Sequence, residues 1–350
     1  MQKQVHGGDI YSKSYKLDFS TNINPFGMPD SVMLGAQKGI TLAIHYPDVE
    51  YRELRSAIAA VEAIAPEWIV CGNGAAEVIF GLVLAKRPKT GLLIAPGFAE
   101  YEQALKTVDC EVTFYQCQRE NGYLVDVDYL DYLEQKPEIA FLCNPNNPTG
   151  VLIEEELLDQ IIDTCKKNNI LLVLDECFLE FVAKEKQNPQ KGRLADVPQL
   201  FILKAFTKMY GMPGLRLGYG MCSDEVLLNR MKEVLQPWNV SMPAQYAGIE
   251  ALRETEFVNM TRDYVQKERA YMIAELKKIG FTVYDSQANY IFFEGPENLF
   301  DVCENRGILI RDCSNYRNLT KGCYRVAVKR PEENEELLEV LRAHHTAQRR

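Results

Sequence analysis

The chain has 350 residues, of which 47% are hydrophobic, with ten cysteines and a formal net charge of -10. The length allows a large core in two domains or one, and the acidic balance argues against a nucleic-acid surface, which needs clustered Lys and Arg; no basic run, Arg349-Arg350 included, exceeds two residues. The cysteines form no CxxC pair and stand at no metal-ligand spacing with histidine, the N-terminus has no apolar h-region and no run reaches membrane-spanning length, so the expectation is a cytoplasmic protein with reduced thiols, no metal and no membrane contact.

Residues 1–29 contain His6-Gly7-Gly8-Asp9-Ile10-Tyr11 and, further on, Asp18 to Pro25. Gly, Asn and Pro at this density predict an irregular arm, which frays unless something ties it down. From Pro29 onward helices and short apolar strands alternate. Tyr51–Val61 is predicted as a helix and Trp68–Cys71 as a strand that runs into Gly72-Asn73-Gly74-Ala75-Ala76-Glu77, followed by a helix to about Lys86. Strand, glycine turn and helix together aim free backbone N–H groups and the positive end of the helix dipole at an anion. Taken alone, such a turn is more often just a tight connection.

Gly91–Pro96, Ile139–Cys143, Ile170–Leu174 and Phe201–Leu203 read as further strands, with a helix over Phe98–Val108. Short strands that are apolar throughout and separated by helices predict a mainly parallel sheet covered on both faces. In such sheets ligands collect at the carboxyl ends of the strands. Asn147, Asp175 and Lys208 each follow an apolar strand and therefore fall at that edge.

Lys208 stands between the apolar run Leu200–Leu203 and a glycine-rich turn, with Arg216 eight residues on. A lysine forms an imine with an aldehyde only when partly neutral, which calls for desolvation or a neighbouring cation. Arg216 supplies the cation, and the Thr207 hydroxyl with glycine amides suits a phosphate. The pattern reads as an anchor for pyridoxal phosphate (PLP), although a lone lysine in a turn is more often a surface residue.

Beyond Arg216, Pro243–Arg253 and Glu256–Ile279 are predicted helices, the second long enough to bridge two domains. A smaller α+β unit follows, with strands near Tyr290–Phe293, Gly307–Ile310 and Cys323–Val328 and a last helix from Glu332 to about Ala343. Arg311 and Arg325 lie on or beside its strands, where each binds an anion or sits in a structural salt bridge. The expected organisation is an arm at 1–29, a large domain at 30–260 and a small domain at 261–350.

HGGDIY (6–11), DFSTNINPFG (18–27), HYPDVEYRELR (45–55), GNGAAEVIF (72–80), PGFAEYEQAL (96–105), CNPNNPTG (143–150), Asp175-Glu176-Cys177-Phe178, FTKMYGMPGLRLGY (206–219), ILIRDCSNY (308–316) and YRVAVKR (324–330) occur in order. With these motifs the chain resembles the fold-type I PLP enzymes of the class I/II aminotransferase superfamily, and within it the threonine-phosphate decarboxylase subgroup allied to histidinol-phosphate aminotransferases. The resemblance implies an α/β PLP-dependent transferase-like fold, a mainly parallel sheet covered by helices plus a smaller α+β C-terminal domain. It implies that Lys208 holds PLP and moves protons at the substrate α-carbon, while Asp175 pairs with the ring nitrogen. Asn147 would bond the phenolic oxygen and Phe98 stack on the ring, with Phe178 also beside the cofactor. Ala75, Ala76, Thr207 and Arg216 would hold the cofactor phosphate. Tyr46 would reach the phosphate of a neighbouring subunit, which requires a homodimer with shared active sites.

For the substrate, a phosphorylated amino acid or amino alcohol, the resemblance implies His6, Gly8, Asn24, Arg311 and Arg325, the last taking an α-carboxylate. The expected reaction is decarboxylation of L-threonine O-3-phosphate, as in cobalamin biosynthesis, with histidinol-phosphate/2-oxoglutarate transamination as the alternative. Two departures stand out. Phe178 lacks the hydroxyl of the tyrosine usual in aminotransferases of this group, as the decarboxylase subgroup does, and Asp9 replaces a common asparagine.

Overall fold

The computed structural model describes residues 6–348, so the first five residues and the Arg349-Arg350 run lie outside it. The strands are β1 Leu17–Asp18, β2 Ile69–Gly72, β3 Thr90–Ala95, β4 Glu111–Gln116, β5 Ile139–Cys143, β6 Leu171–Asp175, β7 Leu200–Ala205, β8 Gly218–Met221, β9 Thr282–Val283, β10 Tyr290–Glu294, β11 Ile308–Leu309, β12 Arg311–Asp312 and β13 Cys323–Ala327. The helices are α1 Asp30–Thr41, α2 Arg52–Glu62, α3 Ala75–Lys86, α4 Ala99–Lys106, α5 Tyr129–Leu133, α6 Glu155–Asn168, α7 Glu225–Val234, α8 Met242–Ala251, α9 Thr255–Ile279, α10 Leu299–Glu304 and α11 Pro331–Gln348.

A seven-stranded sheet runs in the order β2-β8-β7-β6-β5-β3-β4. Only β8 is antiparallel to its neighbours, so the carboxyl ends of the other six strands and the start of β8 share one edge. Its central strands β5 and β6 are buried along their whole length and β7 at every residue but Lys204, which their apolar runs anticipate. Two strands differ from the sequence expectation. β4 is a sheet-edge strand with exposed residues alternating along it, and β8 has the composition Gly-Tyr-Gly-Met, which reads as turn.

Four short strands, β12-β13-β10-β9, form a second sheet packed with α9, on which α11 packs in turn. The strand predicted at Gly307–Ile310 is β11, and an unpredicted strand, β12, follows it directly in the other sheet. β11 pairs in parallel with β1 of the arm, and after Ile310 the chain crosses to β12, which pairs with β13. The arm is thereby tied down by backbone bonds, including Phe19 N–H to the Leu309 carbonyl at 2.8 Å. All ten cysteines are free thiols, and all but Cys177 are buried. Among the described residues no helix is long and apolar enough to cross a membrane.

Candidate active site

The anion cradle forms where β2 ends. Gly74 (φ 81°) precedes α3 and turns the first amides of the helix, those of Ala75 and Ala76, toward the sheet edge. The Arg216 guanidinium lies directly over Gly74, so a Cβ there would collide with it. At Gly218 a Cβ would collide with the Ala75 backbone nitrogen. Two missing side chains thus let strand start, helix start and arginine converge. Arg216 itself is held with φ 59° and donates from Nη1 to the Pro213 carbonyl at 3.3 Å. Thr207 is buried beside them.

Lys208 follows β7 at the same edge. Burial, then Arg325, then Arg216 lower its amine to about 8, while Cys177 and Glu100 oppose the shift. An amine so placed is neutral often enough to act as a nucleophile. Asp175 closes β6 and is buried. Its Oδ2 accepts from the Tyr101 hydroxyl at 2.6 Å and its Oδ1 from the Cys177 N–H at 2.9 Å. Burial raises the carboxyl, and these bonds with the Lys208 charge oppose that rise. Phe98 precedes α4, its ring edge-on to Tyr101 at 5.4 Å.

Of the two roles left open by the sequence for Arg325, the salt bridge is not formed. The residue is 6% exposed, and among the described residues no carboxylate lies within ion-pair distance of it. Its Nη1 donates to Asn147 Oδ1 at 2.5 Å, its Nη2 to the Ser20 carbonyl at 2.7 Å, and its Nε is buried with no partner. Because guanidinium only donates, this bond fixes Asn147 with Oδ1 toward Arg325 and leaves Nδ2 as its free donor. The guanidinium lies 5.4 Å above the Tyr290 ring, against which the buried Phe178 packs edge-on at 5.0 Å. Arg311 stands directly opposite Arg325 across the β12–β13 pair. It is buried, donates to Asn315 Oδ1 at 2.9 Å and sits 5.2 Å above Tyr316.

From the arm, His6 reaches Glu100 in the first turn of α4, with Nδ1 3.3 Å from Oε1. Gly8 N–H bonds Ser20 Oγ at 2.7 Å, so the residue whose carbonyl holds Arg325 also holds the arm. Asp9 turns onto Ser12, accepting from its N–H at 3.1 Å and its hydroxyl at 2.7 Å. Asn24, expected at the substrate, makes its side-chain bonds within the chain. Its Nδ2 donates to the Met209 carbonyl at 2.6 Å and Thr261 Oγ1 at 3.0 Å, its Oδ1 accepts from Phe26 N–H at 2.9 Å, and its N–H bonds the Lys208 carbonyl at 3.1 Å. Every polar group of that side chain is engaged, and it pins the lysine turn. Tyr46 is exposed and stacks on Trp238 at 4.7 Å, apart from the residues gathered around Lys208.

Sequence reasoning missed Tyr101, Tyr290, Ser20 and Glu100. Tyr101 and Glu100 occupy the first turn of α4 in PGFAEYEQAL, where an acid also reads as ordinary helix-dipole compensation.

A family model described as aminotransferase class I and II matches residues 14–341. The chain belongs to that family. It is 37% identical to a threonine-phosphate decarboxylase from Salmonella typhimurium, over 97% of this chain and 96% of that protein. It is 34% identical to a histidinol-phosphate aminotransferase from Oleidesulfovibrio alaskensis, over 93% and 86% of the two chains. The crystal structure of a histidinol-phosphate aminotransferase from Clostridium acetobutylicum superposes with a TM-score of 0.88 at 31% identity, covering 95% of this chain and 99% of that one. The α/β fold expected from the motifs is therefore that of solved members of the class I/II aminotransferase family. The residues present fit the cofactor implied by the resemblance: a cradle of helix amides and arginine for a phosphate, a partly neutral lysine, and a buried carboxylate at the next strand end.

Proposed function

We propose that this protein is a PLP-dependent decarboxylase that converts L-threonine O-3-phosphate to (R)-1-amino-2-propanol phosphate and CO2. The observation that carries this reading is the pair of buried arginines, 311 and 325, facing each other across β12 and β13 with His6 on the same side of the site. Two separate cations match a substrate with two anions, a carboxylate and a phosphate. Histidinol phosphate carries only one of these.

Bound PLP would contribute a conjugated ring that accepts the electron pair of whichever α-carbon bond stands perpendicular to it. Orientation is the task of the chain. Arg325, anchored by Asn147 and Ser20, would hold the carboxylate, while Arg311 and His6 would hold the phosphate at the far end. Fixing both ends selects the carboxylate bond. Loss of CO2 leaves the α-carbon one proton short, and the Lys208 amine, lowered to about 8, would return it. Asp175 would keep a proton on the ring nitrogen, and Ala75, Ala76, Thr207 and Arg216 would hold the cofactor phosphate.

The units 1–29, 30–260 and 261–350 are assigned as arm, large domain and small domain, since β1 of the arm joins β11 and α9 leads into the second sheet. A homodimer completes this reading. Tyr46 and Trp238 stack on the outside of the chain near the exposed Ile40 and Ile44, where Tyr46 is available to a partner's cofactor phosphate. Similarity to a histidinol-phosphate aminotransferase of TM-score 0.88 favours transamination as the second reading. Purified enzyme with PLP is given either phosphothreonine, or histidinol phosphate plus 2-oxoglutarate, and CO2 and glutamate are measured. CO2 from phosphothreonine is the expected result, and glutamate without CO2 would overturn it.

A further inference from the structure

One carboxylate in the chamber has no part in the chemistry above. Glu100 is the second residue of α4, with a side chain only 15% exposed, and it meets basic side chains. His6 Nδ1 lies 3.3 Å from its Oε1. Lys208 after β7 and Arg311 on β12 act on it from the facing elements, and Tyr316 is the further titratable group that senses it. Burial, the largest influence, raises the Glu100 carboxyl above its ordinary value, and His6, its own N–H, Lys208 and Arg311 oppose that rise.

His6 and Arg311 are also the groups assigned to the substrate phosphate, and the role of Glu100 rests on that assignment. An ionised carboxylate only accepts hydrogen bonds, as a phosphate does, so the two repel when they compete for the same cations. A protonated carboxyl instead has an O–H to donate. We infer that Glu100 is a proton-linked specificity residue: ionised, it pairs with His6 in the field of Arg311 before substrate binds, and it takes up one proton as the incoming phosphate displaces it, then donates its O–H to that phosphate. An unphosphorylated amino acid leaves Glu100 on its cations and gains nothing from this exchange.

The test uses holoenzyme, whose own cofactor fills the α3 cradle. Binding of inorganic phosphate, which the enzyme does not turn over, is measured by calorimetry at about pH 8, above the second ionisation of a phosphate group. Two buffers of different ionisation enthalpy report protons taken up, for the native enzyme and for Glu100→Gln. The native enzyme is expected to take up protons that the variant does not, and the variant to bind phosphate about tenfold more tightly at this pH. In turnover, KM of the native enzyme is expected to rise by up to about tenfold per pH unit on the alkaline side, with that slope absent from the variant. Equal proton uptake in both enzymes, or weaker phosphate binding by the variant, overturns the inference. Should the Gln variant not fold, Glu100→Ala carries the same comparison. CO2 release from phosphothreonine without Glu100-linked uptake sinks this inference and leaves the decarboxylase reading standing. Glu100-linked uptake with inorganic phosphate but no CO2 from phosphothreonine does the reverse.

Discussion

At Lys208 a single titration separates an anchor from a surface lysine. The amine is lowered from 10.5 to about 8, by burial first and then by Arg325 and Arg216. A neutral amine is the form that attacks an aldehyde, so its reactive fraction grows with pH and levels above the pKa. The rate at which apoenzyme regains its visible cofactor absorbance should therefore climb about tenfold per pH unit below about 8 and then flatten. An exposed lysine would keep climbing to about 10.5. Lys208→Ala should give no lysine-dependent band at any pH, and a surviving band would show that another amine holds the cofactor. The sequence already pointed to this lysine, because an apolar strand followed by a glycine turn places a side chain at a sheet edge. The arginines that tune it were legible only as residues, since their approach depends on how β8 and β13 are laid in space.

Elements rather than single groups hold the phosphate cradle together. Gly74 combines φ 81° with an arginine packed on its bare face. Gly74→Ala should cost about 1–3 kcal/mol of strain and displace Arg216, so cofactor titration should show weaker retention together with a lower unfolding midpoint. Unchanged retention would mean that Arg216 does not serve the phosphate. Below the site, Glu62 at the end of α2 braces both strands that carry it. It accepts from Lys204 of β7 at 2.8 Å, Tyr219 of β8 at 2.6 Å and Lys191 at 3.0 Å. Burial alone would raise its carboxyl, but Lys204, Tyr219 and Lys191 outweigh burial and hold it at about 2. Because the folded value lies below the unfolded one, its contribution to stability is complete above the ordinary value of 4.5 and is lost as pH falls toward about 2. Glu62→Gln leaves Lys204 buried without its charge partner and should cost about 3–5 kcal/mol at neutral pH, read as a lower denaturant midpoint at constant m. A cost under about 1 kcal/mol would place the pair among exposed bridges.

At the scale of the whole molecule, the proposed shared-site homodimer makes a mixing experiment decisive. Lys208→Ala and Tyr46→Ala are each expected to be impaired. If Tyr46 serves the partner's site, a mixed dimer has one site carrying both changes and one carrying neither. Unfolding and refolding the two variants together should then raise activity above the mean of the separate parents. No gain would place Tyr46 at the site of its own subunit.

The order of motifs fixed family, cofactor and the parallel sheet, because apolar strands and the turns after them are local patterns with a local physical cause. Periodicity also placed the core helices to within a few residues. It passed over β4 and β8, whose edge exposure and glycine content hide a strand, and it gave β11 without β12, because the two short strands pair with different partners, β1 and β13. Lys208 was readable from its own neighbours. Tertiary structure alone decided that Asn24 braces the lysine turn, that Arg325 has no carboxylate partner among the described residues, and that Glu100 enters a cationic chamber. Hydrogen-bond satisfaction and charge neighbours depend on which elements meet, and that meeting is set by packing across hundreds of residues. The anchor is written along the chain, whereas the surroundings that give it a reaction arise only when β7, β12, β13, α4 and the arm close around it.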